Sequence, residues 1–499
     1  MVKTPSLMNN LFKYLIVLVL GVFFYLFFIA LFNKSLSDYD LWGYLSFGRV
    51  IWEEGFFPYQ DFFSYTPTKP LWVYHEWFTG TIFFGLMKNL GPASLQLFRY
   101  ILAILTIYLI YSTALKRGGN LFYVIVTLIP STLIISFGYV AVRAQIFTFF
   151  FFVLTLYILE SSKKTGDKTI LRWLPLTQIV WCNFHGGFVA GLGLIFLYAL
   201  GEALARKNMA LSYLKWGMIS ALATLINPYG IYYWIYTIHA LAMPRPEITE
   251  WYSVVTALKS NVHVFPVVLF MFMGLIILLV SLIRKKKDIT ELLIIAVMIF
   301  LGIAHIRHNV LFGIVFGAYM PVYLSECAHE WNAKRHSFKL IGFFSIILST
   351  LVISASFYSY PKTQITFIPD FRIVVSSDYY PTKAIQWMKT NSIKGNILPY
   401  FEWGEYLIWS CYPDCRVAMD GRYETVYKDN VHKEYFDFLY GRDGWDIFLR
   451  KYPHDIVLLK AGTKTHALMI NEKDWRLVYH DRISVVFMKN KRGKVGLID

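Results

Sequence analysis

Apolar runs of about twenty residues recur along this chain between short polar breaks, and that is the length a helix needs to cross the hydrocarbon core of a bilayer. The runs at 12–32, 95–115, 121–138, 145–160, 171–184, 187–205, 211–227, 263–283, 289–305, 308–327 and 337–357 read as crossings, about 11 in all. In the first, Lys13 is the only charge between Leu11 and Phe32. It has the basic flank of a secretion signal, but it is long and no small-x-small site follows, so it reads as a retained anchor. The pattern predicts an α-helical polytopic membrane protein.

Two parts of the chain depart from this pattern. Residues 33–74 form a long first loop, in which Asp40-Leu41-Trp42 opens an amphipathic helix to about Glu54, with Leu41, Leu45 and Gly48 at helical spacing. Gly55, Pro58, Pro67 and Pro70 then break the chain. The density of Trp, Tyr and Phe in this loop argues against disorder. Beyond Tyr360 the long apolar runs stop. A membrane domain at 1–360 is therefore expected to precede an α/β domain at 361–499. Its expected helices are Thr382 to Thr390 and Lys428 to Tyr440; its expected strands are Asp455 to Leu459, Arg476 to Tyr479 and Ile483 to Met488.

Charge fixes the orientation. The chain is 56% apolar and only 16% charged, and its formal net charge is +16. Much of the excess sits in clusters between apolar runs: Lys116-Arg117, Lys163-Lys164 with Lys168 and Arg172, Arg206-Lys207, Arg284 to Lys287, and Lys334-Arg335. That is the distribution of cytoplasmic loops, which are expected to carry these clusters and little else. The basic runs are not interleaved with stacking aromatics, so nucleic acid is excluded as a partner. With the clusters inside, the N-terminus is cytoplasmic and the C-terminal domain extracytoplasmic. The run 75–90 cannot cross, because every later cluster would then fall outside; it reads as a re-entrant or surface-lying helix. Cys182 and Cys327 read as packing residues, while Cys411 and Cys415 either pair in an oxidising compartment or stay free.

This orientation gathers the polar motifs on the outer side. They include Asp38-Tyr39-Asp40, Asp61, His75-Glu76-Trp77, Arg143, Asn183 to Gly187, Asn227 to Gly230, Glu247, Glu250 and His305 to Asn309. Charged groups at membrane depth face a cavity or a partner, so a shared outward cavity is expected.

The stretch Ser37-Asp38-Tyr39-Asp40-Leu41-Trp42, with Gly48-Arg49 and the run from Pro58 to Thr66, resembles the first external loop of bacterial GT-C glycosyltransferases near the protein O-mannosyltransferase type. The resemblance takes in about residues 1–330, including Leu97-Phe98-Arg99, Trp181 to Gly187 and Asn227 to Gly230. It implies a GT-C core, a cell-membrane location and a catalytic acid just after the first membrane helix. It also implies a polyprenyl-phosphate sugar donor and an extracytoplasmic hydroxyl acceptor on a glycan, lipid or protein. The family pattern has adjacent acids; here Tyr39 separates them, so Asp38 and Asp40 both stand as candidates.

Inverting sugar transfer needs a carboxylate to take the acceptor's proton. It also needs positive or hydrogen-donating groups where the phosphate leaves. Asp40 and Asp38 are candidates for the first task. Arg99, Arg143, Arg307 and His308 are candidates for the second, with His75, Glu76 and His185 as further substrate-binding groups. Plainer readings stand beside these. Asp38 can cap a helix, His75 and Glu76 can sit at a helix start, and His185 with its two glycines can form a tight turn. Glu247 and Glu250 read as solvated loop, and Trp403 to Tyr406 and Asp420-Gly421-Arg422 as ordered turns. Some relatives implied by the resemblance use a divalent metal and others do not; the spacing matches no zinc signature, and no metal ligand is assigned. A polymerase or ligase of lipid-linked oligosaccharides would use a similar cavity. A transporter would show internal repeats, which the sequence lacks.

Overall fold

The architecture follows from where each segment can bury its backbone. The computed structural model describes residues 18, 21–22, 25–332 and 368–490. Its membrane part runs α1 (Leu41–Arg49), α2 (Trp77–Leu90), α3 (Ala93–Lys116), α4 (Leu121–Ser136), α5 (Gln145–Thr165), α6 (Trp173–Phe184) and α7 (Phe188–Leu204). It continues with α8 (Ala210–Ala223), α9 (Ile231–Ala242), α10 (Val254–Lys259), α11 (Val264–Ile283), α12 (Ile289–Ala304) and α13 (Asn309–Asn332). Among the described residues, 5 helices are long and apolar enough to cross a membrane: Ala93–Lys116, Leu121–Tyr139, Gln145–Thr165, Val264–Ile283 and Ile306–His329. Helices α7 and α12 are apolar but shorter. The runs 171–184 and 211–227 form helices of 12 and 14 residues. At about 18–21 Å these are shorter than the hydrocarbon core. The run 337–357 and most of 12–32 lie outside the described residues.

Local chemistry sets the ends. Asn120 and Asp288 accept backbone N–H groups at the starts of α4 and α12, and Gly166, in the left-handed region, closes α5. The helix expected from Asp40 to about Glu54 is α1 followed by a π-helical turn, Val50–Glu54. It is not amphipathic: every residue from Leu41 to Gly48 is buried. Helix α2 covers one side so closely that a Cβ on Gly80 would lie 2.7 Å from the Tyr44 carbonyl oxygen, which only glycine permits. The other side is covered by the C-terminal domain.

That domain carries one five-stranded sheet, β1 (Gly395–Pro399), β2 (Cys415–Val417), β3 (Ile456–Lys460), β4 (Trp475–His480) and β5 (Ser484–Lys489), in the order β2-β1-β3-β5-β4. Strands β2, β1 and β3 are parallel, and β5 is antiparallel to β3 and β4. The three expected strands and both expected helices, α14 (Thr382–Thr390) and, beyond α15 (Gly404–Cys411) and α16 (Tyr423–Val426), α17 (Asp429–Leu439), are present. The short β1 and β2 had no alternating pattern to announce them. The first loop closes the β2 edge: Tyr65 N–H donates to Val417 O and Val417 N–H to Phe63 O. Arg422 fastens the same seam, bridging Asp61 and Asp420 at 2.7 Å each between the rings of Phe63 and Trp72. Asp61, named among the outward polar motifs, has a fully buried carboxylate that ties the first loop to the C-terminal domain.

The basic clusters between the apolar runs are tied down by acids on the helices that flank them. Arg117 is buried between Glu160 and Glu291, Arg284 pairs with Glu291 and Glu326, and Lys163 with Asp288 and Glu202. Burial of these cations among helix ends demands partners, and acids from α5, α7, α12 and α13 supply them.

Candidate functional site

At the opposite end of α5, α7 and α12 lies a cavity of about 630 Å³. Polar groups line part of it. Phe149, Leu194, Leu197, Val297, Met298 and Leu301 give it an apolar trough along α5, α7 and α12. Gly193, exposed and with nothing within 4 Å of a built Cβ, leaves the trough open at its side.

Arg143 organises the polar side. It precedes α5, and its guanidinium meets three acids from two distant segments: Nε lies 3.2 Å from Asp38 Oδ1, Nη2 2.5 Å from Asp40 Oδ2 and Nη1 2.6 Å from Glu250 Oε1. Glu250, read from sequence as solvated loop, is thus part of the site. Arg143 holds the Glu250 carboxyl down at about 2. Burial pushes Asp38 up to about 7, with Arg143 pulling the other way and Asp40 and Glu250 adding to the rise. One cation shared by three acids cannot satisfy all of them equally. Asp38 Oδ1 also accepts the Asp40 N–H at 3.1 Å, so its carboxyl braces the start of α1, while Asp40 is the one that lines the cavity.

Trp251 forms a second centre. Two guanidiniums lie over its indole, Arg245 at 4.3 Å and Arg307 at 4.6 Å, as cation–π contacts, and the rings of His305 and His308 stand steeply inclined to it. The two arginines differ. Arg245 is gripped by both carboxylate oxygens of Glu424 and donates to the carbonyls of Ala240 and Met243. Arg307 makes no hydrogen bond or ion pair with the described residues and faces the cavity.

The third group is His75, Glu76 and His185. Glu76 precedes α2 and receives Tyr44 Oη–H at 3.4 Å, with His185 Nε2 at 3.5 Å and His75 Nε2 at 3.7 Å. The C-terminal domain roofs the cavity with Phe401, Glu405 and Gly421 to Thr425. Glu405 accepts the Gly43 N–H at 3.0 Å, satisfying an orphan donor in the first turn of α1 from the far domain.

The sequence candidates therefore divide. Asp40, His75, Glu76, Arg143, His185, Arg307 and His308 share the cavity wall, and Asp38 stands behind Arg143. Arg99 does not reach the cavity: it is fully buried and donates to the carbonyls of Phe32, Lys34, Tyr139 and Val140, which pin the helix ends around it. The phosphate role expected of it is withdrawn, because both terminal nitrogens are taken up by carbonyls and the side chain does not line the cavity. Glu405, Arg422 and Glu424 were read only as ordered turns, or not singled out; glycines beside acids in Gly404-Glu405 and Gly421 were the available signal. The residues do not fit a divalent metal at the acid cluster. Its carboxylates converge on a guanidinium, and among the described residues no group of three or more His, Cys, Asp or Glu is arranged to hold a cation.

No family model and no curated protein matches this sequence. Solved structures do. An oligosaccharyltransferase of Archaeoglobus fulgidus, tethered to an acceptor peptide containing the NVT sequon, superposes with a TM-score of 0.55 at 14% identity, over 90% of this chain and 69% of that one. The mycobacterial arabinofuranosyltransferase AftD gives 0.56 at 12% identity, over 94% of this chain but only 41% of its own. ArnT from Cupriavidus metallidurans, bound to undecaprenyl phosphate, gives 0.53 at 12% identity, over 96% of this chain and 98% of that one. What these three share with the present chain is the GT-C membrane fold.

Proposed function

We propose that this chain is a multi-pass membrane glycosyltransferase that moves a sugar from a polyprenyl-phosphate donor to a hydroxyl on an extracytoplasmic acceptor. The observation that carries it is the coexistence, in one cavity of a GT-C fold, of a carboxylate steadied by arginine, a guanidinium with no acid paired to it among the described residues, and an apolar trough. The trough suits an isoprenoid tail. Arg307, beside His308, suits the phosphate, since a guanidinium grips phosphate at two points. The neighbour bound to undecaprenyl phosphate supports a donor of this kind.

In this reading Asp40 is the general base. The acceptor hydroxyl gives its proton to Asp40 as its oxygen attacks the anomeric carbon. The bond from that carbon to the phosphate oxygen breaks, the electron pair stays on the phosphate, and Arg307 meets the charge that gathers there. The product has inverted configuration. Arg143 holds Asp40 in place, with Asp38 and Glu250 fixing the arginine in turn. About eleven crossings, a cytoplasmic N-terminus and an extracytoplasmic C-terminal domain belong to the same reading, which sets the cavity under a roof that the acceptor must pass.

The test is mass spectrometry of envelope glycoconjugates from cells with the gene, without it, and with Asp38→Asn/Asp40→Asn. The expected result is one glycoconjugate class lacking a sugar in the second and third strains. Unchanged glycans in the double variant would remove the assignment, and loss of a whole oligosaccharide block instead of one sugar would point to a ligase or polymerase.

A further inference from the structure

Glu76 stands apart from the acids around it. Asp38, Asp40 and Glu250 share Arg143, Glu424 is held by Arg245, and Glu405 caps α1. Among the described residues no lysine or arginine pairs with Glu76; its neighbours are a tyrosine and two histidines. All three contacts fall on the same oxygen, Oε1. The Gly187 N–H, which can only donate, reaches His185 Nδ1 at 2.9 Å, so that nitrogen is bare and the ring hydrogen sits on Nε2, 3.5 Å from Glu76 Oε1. Thr148 Oγ1, 2.7 Å from Nδ1 and itself receiving the Trp181 Nε1–H, holds the ring from behind. His75 is held on its other nitrogen by the Tyr236 hydroxyl at 3.3 Å. Burial keeps both imidazoles neutral, His75 at about 4 and His185 well below the ordinary histidine value.

Oε1 is therefore the accepting oxygen, and Oε2, without a partner among the described residues, is left to carry a proton into the cavity. Burial pushes this carboxyl up to about 8; Asp40 and Glu424 add to the rise, and Arg143 and Arg307 oppose it. We propose that Glu76 binds the donor as a neutral acid, its Oε2–H donating to an oxygen of the lipid phosphate beside Arg307. This rests on reading the cavity as a polyprenyl-phosphate site. An ionised carboxylate without a cation would repel phosphate strongly in such a hollow. A protonated one is a donor there, a role that apolar sites impose on carboxyl groups elsewhere. Binding is then strong below pH 8 and is lost as the pH rises through that value.

The experiment uses full-length protein in lipid nanodiscs and radiolabelled undecaprenyl phosphate, titrated between pH 7 and 9.5. The phosphate's own second ionisation, near about pH 6, is largely complete over this range. Wild-type affinity is expected to fall about tenfold or more, as the charged form of Glu76 takes over. Glu76→Gln, which keeps an N–H donor and cannot ionise, is expected to bind about threefold more weakly at pH 7 and to lose the pH dependence. Glu76→Ala is expected to lose about tenfold or more at pH 7. If the alanine variant does not fold, the wild-type and glutamine profiles decide alone. Glutamine binding that still falls with pH, or falls to the alanine level at pH 7, overturns the proposal. The probe carries no sugar, so the two readings separate. Wild type that binds no undecaprenyl phosphate at any pH sinks the donor site, whereas wild type that binds it equally at pH 7 and 9.5 sinks only the role of Glu76.

Discussion

Helix α5 has a charge cluster at each end, about 30 Å apart for its 21 residues. The two clusters use the same residue types to opposite ends. At the C-terminal end Arg117 lies 2.5 Å from Glu160 and 2.6 Å from Glu291, Arg284 closes on Glu291 and Glu326, and Tyr198 and Tyr323 donate to Glu160 and Glu291. The two guanidiniums there lie over the rings of Tyr319 and Tyr323, and each has two carboxylates. At the N-terminal end Arg143 is shared by three acids, while among the described residues Arg307 pairs with no acid and Glu76 with no lysine or arginine. Closed charge ties helices together. Incomplete charge facing a cavity is tolerable only because water or a ligand completes it.

The comparison can be broken in a definite order of effect. Asp40→Asn at the cavity cluster is expected to cut sugar transfer about 10³-fold, the range of a lost general base, with the protein still inserted and folded. Sugar release in isolated membranes measures it. Arg117→Leu at the closed cluster is expected to cost about 3–5 kcal/mol by leaving buried carboxylates unpaired, seen as a lowered thermal midpoint and less protein in the membrane. A variant as stable as wild type would mean that the closed network is not a tie. Arg307→Ala should do the reverse, weakening undecaprenyl phosphate binding about 10- to 100-fold through loss of a charge-assisted contact while leaving the thermal midpoint near wild type. Smallest of all, Lys207→Ala at the half-exposed rim of the closed network is expected to change stability by less than about 1 kcal/mol in denaturant unfolding, because its pairs with Glu202 and Asp288 are screened by water.

The cavity cluster was more legible in the sequence than the closed one. His75-Glu76, Arg143, His185 and Arg307-His308 interrupt apolar runs, and such interruptions are costly enough to imply a cavity. Glu160, Glu202 and Glu291 interrupt apolar runs too, but they lie beside basic clusters that already had an explanation as loop charge. Arg99 was misjudged because nothing in sequence reveals four backbone carbonyls converging on one guanidinium. The roof of the cavity was hidden for another reason. Gly43 and Glu405 meet across 362 positions, and neither helical nor strand periodicity reports a pairing between domains. Likewise β2 has 3 residues, too few to show alternation, and part of its edge is supplied by the first loop.

The most direct measurement is an experimental structure of the full chain with undecaprenyl phosphate. The phosphate is expected in the cavity, in contact with Arg307 and with Glu76 Oε2, its tail along Leu194, Leu197 and Met298. A phosphate bound away from that cavity, with Arg307 and Glu76 untouched, would contradict the account.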